Sequence, residues 1–526
     1  MKKAGSRSVL RSTAWLAFAG IAAKVIGAFY RVPLTNVLGA EGIGLYQTFF
    51  PVYALFLTLT GAAVPTVVAR YVAYADALGA DIPFTRAASK KITLVLALSG
   101  VAFTSLMAYP VAALQMRAGL WKGYLIVAPA VFAVTLAAYY KGYFIGKGRM
   151  TPNAFSQAAE QAVKLAVGLS TAYALAKYGV TAAVYGALFA VTASEFFGLL
   201  FMAACYRKDI GKEKFLCVRV DKRIYFDIVG TMFPIVAAAL VLPVSGFLDS
   251  FLIVRLLIAG GTSAQEATAS YGLYSGAVGT VVNLPVVIAV SLSVAVIPKV
   301  SSGVAKGEYE KVNRVTGTTL GACLAIAVPC FFALLVFAED VIGLLYPGFS
   351  SDESIRAADI LRWQSVNVVA ASLVQLLSGI LQALGSGRSA AIYLAASVAF
   401  KTALQVLLLP RIGIVAAPLS QLAMYALAAA LSAVRYVELT GKNSELVKTG
   451  SKIALSGVIM SVCIQAVALT LTHRLARLAV GAATGSAVYF ALLWATKAFG
   501  SEGIKAVFAR GGKGEDNDRS RGVGMP

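Results

Sequence analysis

Lys24 and Arg31 stand seven residues apart in an otherwise apolar stretch, with Gly27 between them. That spacing puts both cations on one helix face, two turns apart, and the glycine lets a neighbouring helix come close. Lys164, Arg255 and Lys401 also fall inside apolar runs, and Arg70 follows Pro65 near the end of another. A charge at bilayer depth costs about 2.5–3.5 kcal/mol even on the lenient insertion scale, so it normally faces a wet cavity or a partner. Two like charges on one face of an apolar helix read as the lining of such a cavity. Snorkelling of Lys24 to one interface and Arg31 to the other is the bland alternative.

The remaining charges read as follows. Glu160 and Lys164 are four apart, in the favourable order for a same-face pair that neutralises itself. Lys401 has Ser397 where a matching acid would be, which leaves it without a local partner and makes it a ligand candidate. Asp249 is six residues from Arg255 and does not share its face; it is read as pairing with a cation of the first span or as binding a coupling ion. Asn283 is the strong polar group of the uncharged segment from Thr280 to Pro285, either bonding a neighbouring helix or facing a cavity. Pro285 is expected to kink that helix and free backbone carbonyls. Arg70, Arg86, Lys90, Lys91, Arg149 and Arg388 lie at helix ends, where topology determinants are the default reading.

Other chemistry is excluded. The run from Gly142 to Gly148 resembles a phosphate loop, but its spacing is one short and its hydroxyl is missing. His473 is the single histidine, and the five cysteines form no CxxC. Neither a metal site nor a nucleophilic triad can be built from these residues. The expectation is a non-enzyme with no cofactor.

Elements that can position such cations in a membrane must be helices. The 526 residues are 59% apolar and only 13% charged, far from soluble averages of about 45–50% and about 25%. Lys and Arg number 46 against 24 Asp and Glu, for a net charge of +22. The excess sits in alternate short loops, the signature of cytoplasmic loops rather than of nucleic-acid binding. Fourteen apolar runs are long enough to span the hydrocarbon. The charge pattern puts both termini in the cytoplasm and the acidic segment from Glu339 to Asp359 outside.

The runs fall into two related sets of six. Gly44-Leu45-Tyr46 recurs as Gly272-Leu273-Tyr274. The stretch from Gly142 with Arg149 and Lys164 parallels that from Gly379 with Arg388 and Lys401, and Gly179–Ala183 parallels Gly413–Ala417. An even number of spans between copies preserves orientation, so the duplication is parallel, as in many transporters. The expected organisation is a basic N-terminus (1–11), a six-helix bundle (12–206), a basic linker (207–226), a second six-helix bundle (227–437), two extra helices (438–498) and a polar cytoplasmic tail (499–526). The fold class is an all-α polytopic membrane protein.

Several segments carry a family resemblance: Lys24-Val-Ile-Gly-Ala-Phe-Tyr-Arg31, Leu38 to Tyr46, Lys141 to Lys147, Thr151 to Lys164, and Lys401-Thr402 with Gly413 to Ala417. Through them the chain resembles stage V sporulation protein B and its relatives. These are exporters of the multidrug/oligosaccharidyl-lipid/polysaccharide superfamily, which includes lipid II flippases. The resemblance implies two six-helix bundles around a cavity that opens alternately to each side, and a multi-pass place in the bacterial plasma membrane. It implies that Lys24, Arg31, Arg70 and Arg255 meet the pyrophosphate of a polyprenyl-linked saccharide, a peptidoglycan precursor of lipid II type for vegetative wall or spore cortex. Expected partners are that lipid-linked oligosaccharide, membrane lipids and cell-wall synthesis proteins. The family's flippases resemble one another in an arginine and an acid in the eighth span; the uncharged Thr280–Pro285 segment departs from that pattern. Two rivals stand beside this reading, a cation-coupled multidrug exporter of the same superfamily and a non-transporting scaffold of a cell-wall synthesis complex.

Overall fold

The computed structural model describes residues 2–78, 82–210, 222–441 and 444–498, without the side chains of residues 2–25, 28, 75–78, 82–86, 118, 222–224 and 444–447. The readings of Lys24 and Arg86, most of the basic linker and the tail 499–526 therefore lie outside the described residues. Those residues form helices and no strand. Ten helices are long and apolar enough to cross a membrane, or eleven if one bent pair counts as a span. Two of these stretches, Phe29–Tyr74 (46 residues) and Gly387–Thr440 (54 residues), each join consecutive helices and are long enough for two of the fourteen expected runs, and the more polar α5 region is not counted among the ten.

The first half holds α1 (Lys2–Gly61), α2 (Val64–Leu78), α3 (Ile82–Leu114), α4 (Trp121–Gly146), α5 (Thr151–Ala176) and α6 (Val180–Ile210). Helix α1 is two helices joined at Gly39, whose φ of 69° and ψ of −179° are open only to glycine. Its core runs from Leu34, Tyr46 and Phe49 to Tyr124, Val131 and Val191. A second cluster joins Val64, Val68, Tyr139, Tyr143 and Tyr206. In a bilayer, lipid tails are as apolar as these side chains, so close packing rather than expulsion from water holds the helices together.

The second half begins with α7 (Lys222–Ala239), whose apolar part is short, and α8 (Val241–Ala259), long and apolar enough to cross by itself. Although the sequence reading counts α7 with the second bundle, its Ile228 and Met232 are buried in the first half's core. Next come α9 (Ala264–Tyr271), a π-helical segment (Gly272–Val278), α10 (Gly279–Ala305) and α11 (Tyr309–Val336). Helix α10 runs unbroken through Pro285. The irregularity expected there sits upstream, in the π segment. Short helices α12 (Ala338–Leu345) and α13 (Ser351–Ser365) precede α14 (Asn367–Ala383), α15 (Gly387–Ile412) and α16 (Ala416–Thr440). Helix α13 starts at a capping box: Ser350 Oγ accepts from the Glu353 N–H, and Glu353 Oε2 accepts from the Ser350 N–H.

Helices α17 (Ser444–Thr470) and α18 (Arg474–Ala495) pack on α11 through Val328, Phe332, Met460 and Tyr489. Arg477 of α18 also reaches Asp340 of α12 at 3.3 Å.

Candidate functional site

The intramembrane charges separate into two paired clusters and a set of unpaired cations. In the first half, α4, α5 and α6 bring together two lysines and two glutamates. Lys141 lies 2.9 Å from Glu160, whose Oε1 also accepts from Ser156 Oγ at 2.6 Å. Lys164 lies 3.8 Å from Glu195. Gly198 makes the space, since a Cβ there would stand 2.2 Å from Glu160 Oε1. The expected Glu160–Lys164 pair is thus replaced by two pairs between helices. A same-face i,i+4 pair is worth only about 0.2–0.5 kcal/mol, and a partner on a packed neighbour is desolvated with the charge it meets.

In the second half, Lys401 of α15 is 1% exposed and 2.5 Å from Asp249 Oδ2 on α8. It also donates to Ser245 Oγ at 3.1 Å, while Gln405 Nε2 donates to Asp249 Oδ1 at 2.9 Å. Two sequence expectations are corrected here. Lys401 is not short of a partner and does not face a cavity, because the acid comes from another helix rather than from its own preceding turn. Asp249 pairs with this lysine instead of a cation of the first span, since α8 lies against α15 along its charged face.

Among the described residues, Arg31, Arg70 and Arg255 make no ion pair. Arg70 and Arg255 are exposed, Arg70 on the side of α2 away from its buried valines. Arg31 is half-buried, its guanidinium 5.3 Å from the centre of the Phe50 ring. Phe50 lies on the same broken helix beyond Gly39, so the kink folds an aromatic face back over the cation. Such a contact is worth about 0.5–1 kcal/mol, and the guanidinium keeps its hydrogen-bond donors unused. About one turn below, Gly27 admits Gln161 of α5, whose Oε1 would stand 3.2 Å from a Cβ there. Asn283 is exposed and has no hydrogen bond to a neighbouring helix.

Close above Arg31 the halves meet. The repeat-related glycines are apposed: a Cβ on Gly272 would lie 2.2 Å from the Ala40 carbonyl and 2.8 Å from Gly44 Cα. Hydrogen bonds between the halves cluster around this contact. Asn36 Nδ2 donates to the Leu345 carbonyl at 2.9 Å, Gln47 Nε2 to the Ser275 carbonyl at 2.6 Å, and Gln115 Nε2 to Ser250 Oγ at 3.0 Å. Gln265 Nε2 donates to Glu41 Oε2 at 2.9 Å. By the charge pattern this is the outer end.

Sequence reasoning missed Lys141, Glu195, Ser245 and Gln405. Lys141 and Glu195 carried a usable signal, each a charge in an apolar run; Ser245 and Gln405 carried none. No group of three or more His, Cys, Asp and Glu among the described residues could hold a metal ion.

Residues 9–304 match the polysaccharide biosynthesis protein family, and residues 234–407 match MatE. The chain is 28% identical over 348 residues to "Stage V sporulation protein B" of Bacillus subtilis (strain 168), covering 65% of this chain and 67% of that one. It is 26% identical over 428 residues to "Lipid II flippase MurJ" of the same organism, covering 76% and 77%. Among solved structures it resembles "Lipid II flippase MurJ, inward closed conformation" at a TM-score of 0.68 and 15% identity, over 94% of this chain and 99% of that one. It also resembles an inward-facing multidrug resistance MATE family transporter of the MOP superfamily at a TM-score of 0.66 and 14% identity, over 80% and 96%.

Proposed function

The chain belongs to the polysaccharide biosynthesis protein family, and from that premise we propose that it flips a polyprenyl-pyrophosphate-linked saccharide, of lipid II type, across the cytoplasmic membrane. It is a multi-pass membrane flippase or exporter of the bacterial plasma membrane and not an enzyme. The observation that carries the anionic substrate is Arg31, a half-buried cation with no carboxylate beside it, close to the contact between the halves. An unpaired buried cation is costly unless an anion visits it. A pyrophosphate, stripped of water as it enters a lower dielectric, gains there what it loses in hydration.

The path follows from the arrangement. The headgroup enters from the cytoplasmic end, where Arg70 is exposed, moves up to Arg31, and leaves once the Gly44–Gly272 contact parts. Arg255, near the outer end of α8, meets it on exit. The membrane potential, negative inside, favours outward movement of an anion by about 2.3 kcal/mol per net charge per 100 mV. The polyprenyl tail stays in lipid. Lys164 and Lys401 take no part in binding, because their charge is already spent on Glu195 and Asp249. A cation-coupled drug exporter would need an open carboxylate within the bundles; Glu160, Glu195 and Asp249 each face a lysine instead.

The test is reconstitution of the purified chain in liposomes with fluorescent lipid II and, separately, the same tail bearing a neutral headgroup. Movement of lipid II alone is expected. Movement of both at equal rates would refute recognition of the anion.

A further inference from the structure

The alternating passage does not by itself account for the π-helical segment Gly272–Val278 between α9 and α10. A π turn holds one residue more than the α turn it replaces, and such turns are rare and concentrate at functional sites. Here side chains from three elements hold it. The Ser275 carbonyl accepts from Gln47 Nε2 of α1, across the two halves. The next carbonyl, of Gly276, accepts from Thr280 Oγ1 at 2.6 Å, and that of Ala277 accepts from the Tyr346 hydroxyl at 3.0 Å. The segment begins at Gly272, the glycine seated against Ala40 and Gly44. It also contains Tyr274, whose hydroxyl donates to Gln421 Oε1 of α16 at 3.4 Å. One irregular turn therefore touches both the contact between the halves and the polar interior of the second bundle.

We infer that this segment is a register latch, wound as π while α1 is seated on it and rewound as α when Gly44 parts from Gly272. Departure of α1 takes Gln47 away and leaves the Ser275 carbonyl without its partner. The α register supplies that carbonyl with a backbone N–H four residues on. Rewinding turns α9 by about 100° relative to α10, the angle of one α-helical residue, and withdraws Tyr274 from Gln421. Opening at this end is thereby coupled to the second bundle's side chains. The inference rests on the alternating-access reading above, but its test needs no substrate.

Deleting Gly276 imposes the α register directly. The full-length chain, with its cysteines replaced, would carry an Ala40→Cys reporter in nanodiscs and be labelled with a hydrophilic maleimide. The Gly276 deletion should melt within a few degrees of the parent and label faster by about tenfold or more, as a two-state population shift produces. A matched deletion of Val290, in the regular part of α10, should lose its cooperative melt. Labelling of a folded Gly276 deletion at the parent rate would overturn the latch. If that deletion does not fold, Gln47→Leu decides: faster labelling together with altered amide exchange across Gly272–Thr280 supports the latch, and unchanged exchange overturns it. Normal lipid II flipping with an unchanged latch segment would reject the latch alone. Altered labelling without any flipping of lipid II would reject the substrate reading alone.

Discussion

Lys164 and Lys401 occupy matching positions of the two halves, yet they are held differently. Lys401 has an acid at 2.5 Å and a hydroxyl at 3.1 Å, and its side chain is 2% exposed. Lys164 has one acid at 3.8 Å and is 13% exposed, while the tighter bond of its cluster, Lys141–Glu160, belongs to a neighbour. Duplication kept the cation and let each half find its own counter-charge, on α8 in one case and on α6 in the other. Lys401 is pinned by one desolvated acid; Lys164 belongs to a cluster that spreads its charge over four residues on three helices. A repeated lysine is thus no guide to a repeated role. Among the described intramembrane cations left without an ion pair, Arg31 is the half-buried one.

The difference can be broken experimentally. Asp249→Ala should have the largest effect, because it strands Lys401 in a dry site; the loss is about 3–5 kcal/mol, read as a fall in melting temperature in detergent. The double change Asp249→Leu with Lys401→Met should recover most of that loss, since an apolar pair of similar volume is often neutral or better. Glu160→Ala comes next, at about 1–3 kcal/mol: Ser156 and Lys141 both lose their acceptor, but Lys141 is partly exposed and can reach water. Lys164→Met should move the melting temperature least, towards the lower end of the same range of about 1–3 kcal/mol, because its bond to Glu195 is long and both side chains keep some exposure. If Lys164→Met were instead as damaging as Asp249→Ala, the two halves would be equivalent and the comparison would fail.

Much of the fold is legible in the chain. Composition, apolar runs and the basic loops identify a polytopic helical protein, and the recurring Gly-Leu-Tyr announces two related halves. That the two copies touch each other, glycine against glycine, is not legible, because contact across a pseudo-symmetry axis leaves no local pattern. The ion pairs were read wrongly for a related reason. Glu160 and Lys164 advertise a partner four residues away, whereas the real partners are 19 and 31 positions distant for these two and 152 for Lys401. Helix packing chose them, through gaps such as the one Gly198 leaves. Pro285 misled differently: in α10 a proline ring facing a gap between helices is tolerated, and the break went to a glycine-rich turn upstream. The unpaired state of Arg31 was not legible either: it has no acid within a turn, but neither has Lys401, which is paired across helices.

Among the described residues, intramembrane charge divides into locked pairs and a few unpaired arginines, of which the half-buried one, Arg31, is proposed to serve an anionic passenger. This role is tested most directly by measuring, in proteoliposomes under a fixed potential, the lipid II flipping rate and melting temperature of Arg31→Ala beside the Asp249→Leu, Lys401→Met double variant. The account predicts that Arg31→Ala melts within a few degrees of the parent but flips at least about tenfold more slowly, as loss of one charge-assisted contact to a phosphate implies, while the double variant flips normally. Normal flipping by Arg31→Ala, or its loss in a stably folded double variant, would contradict it.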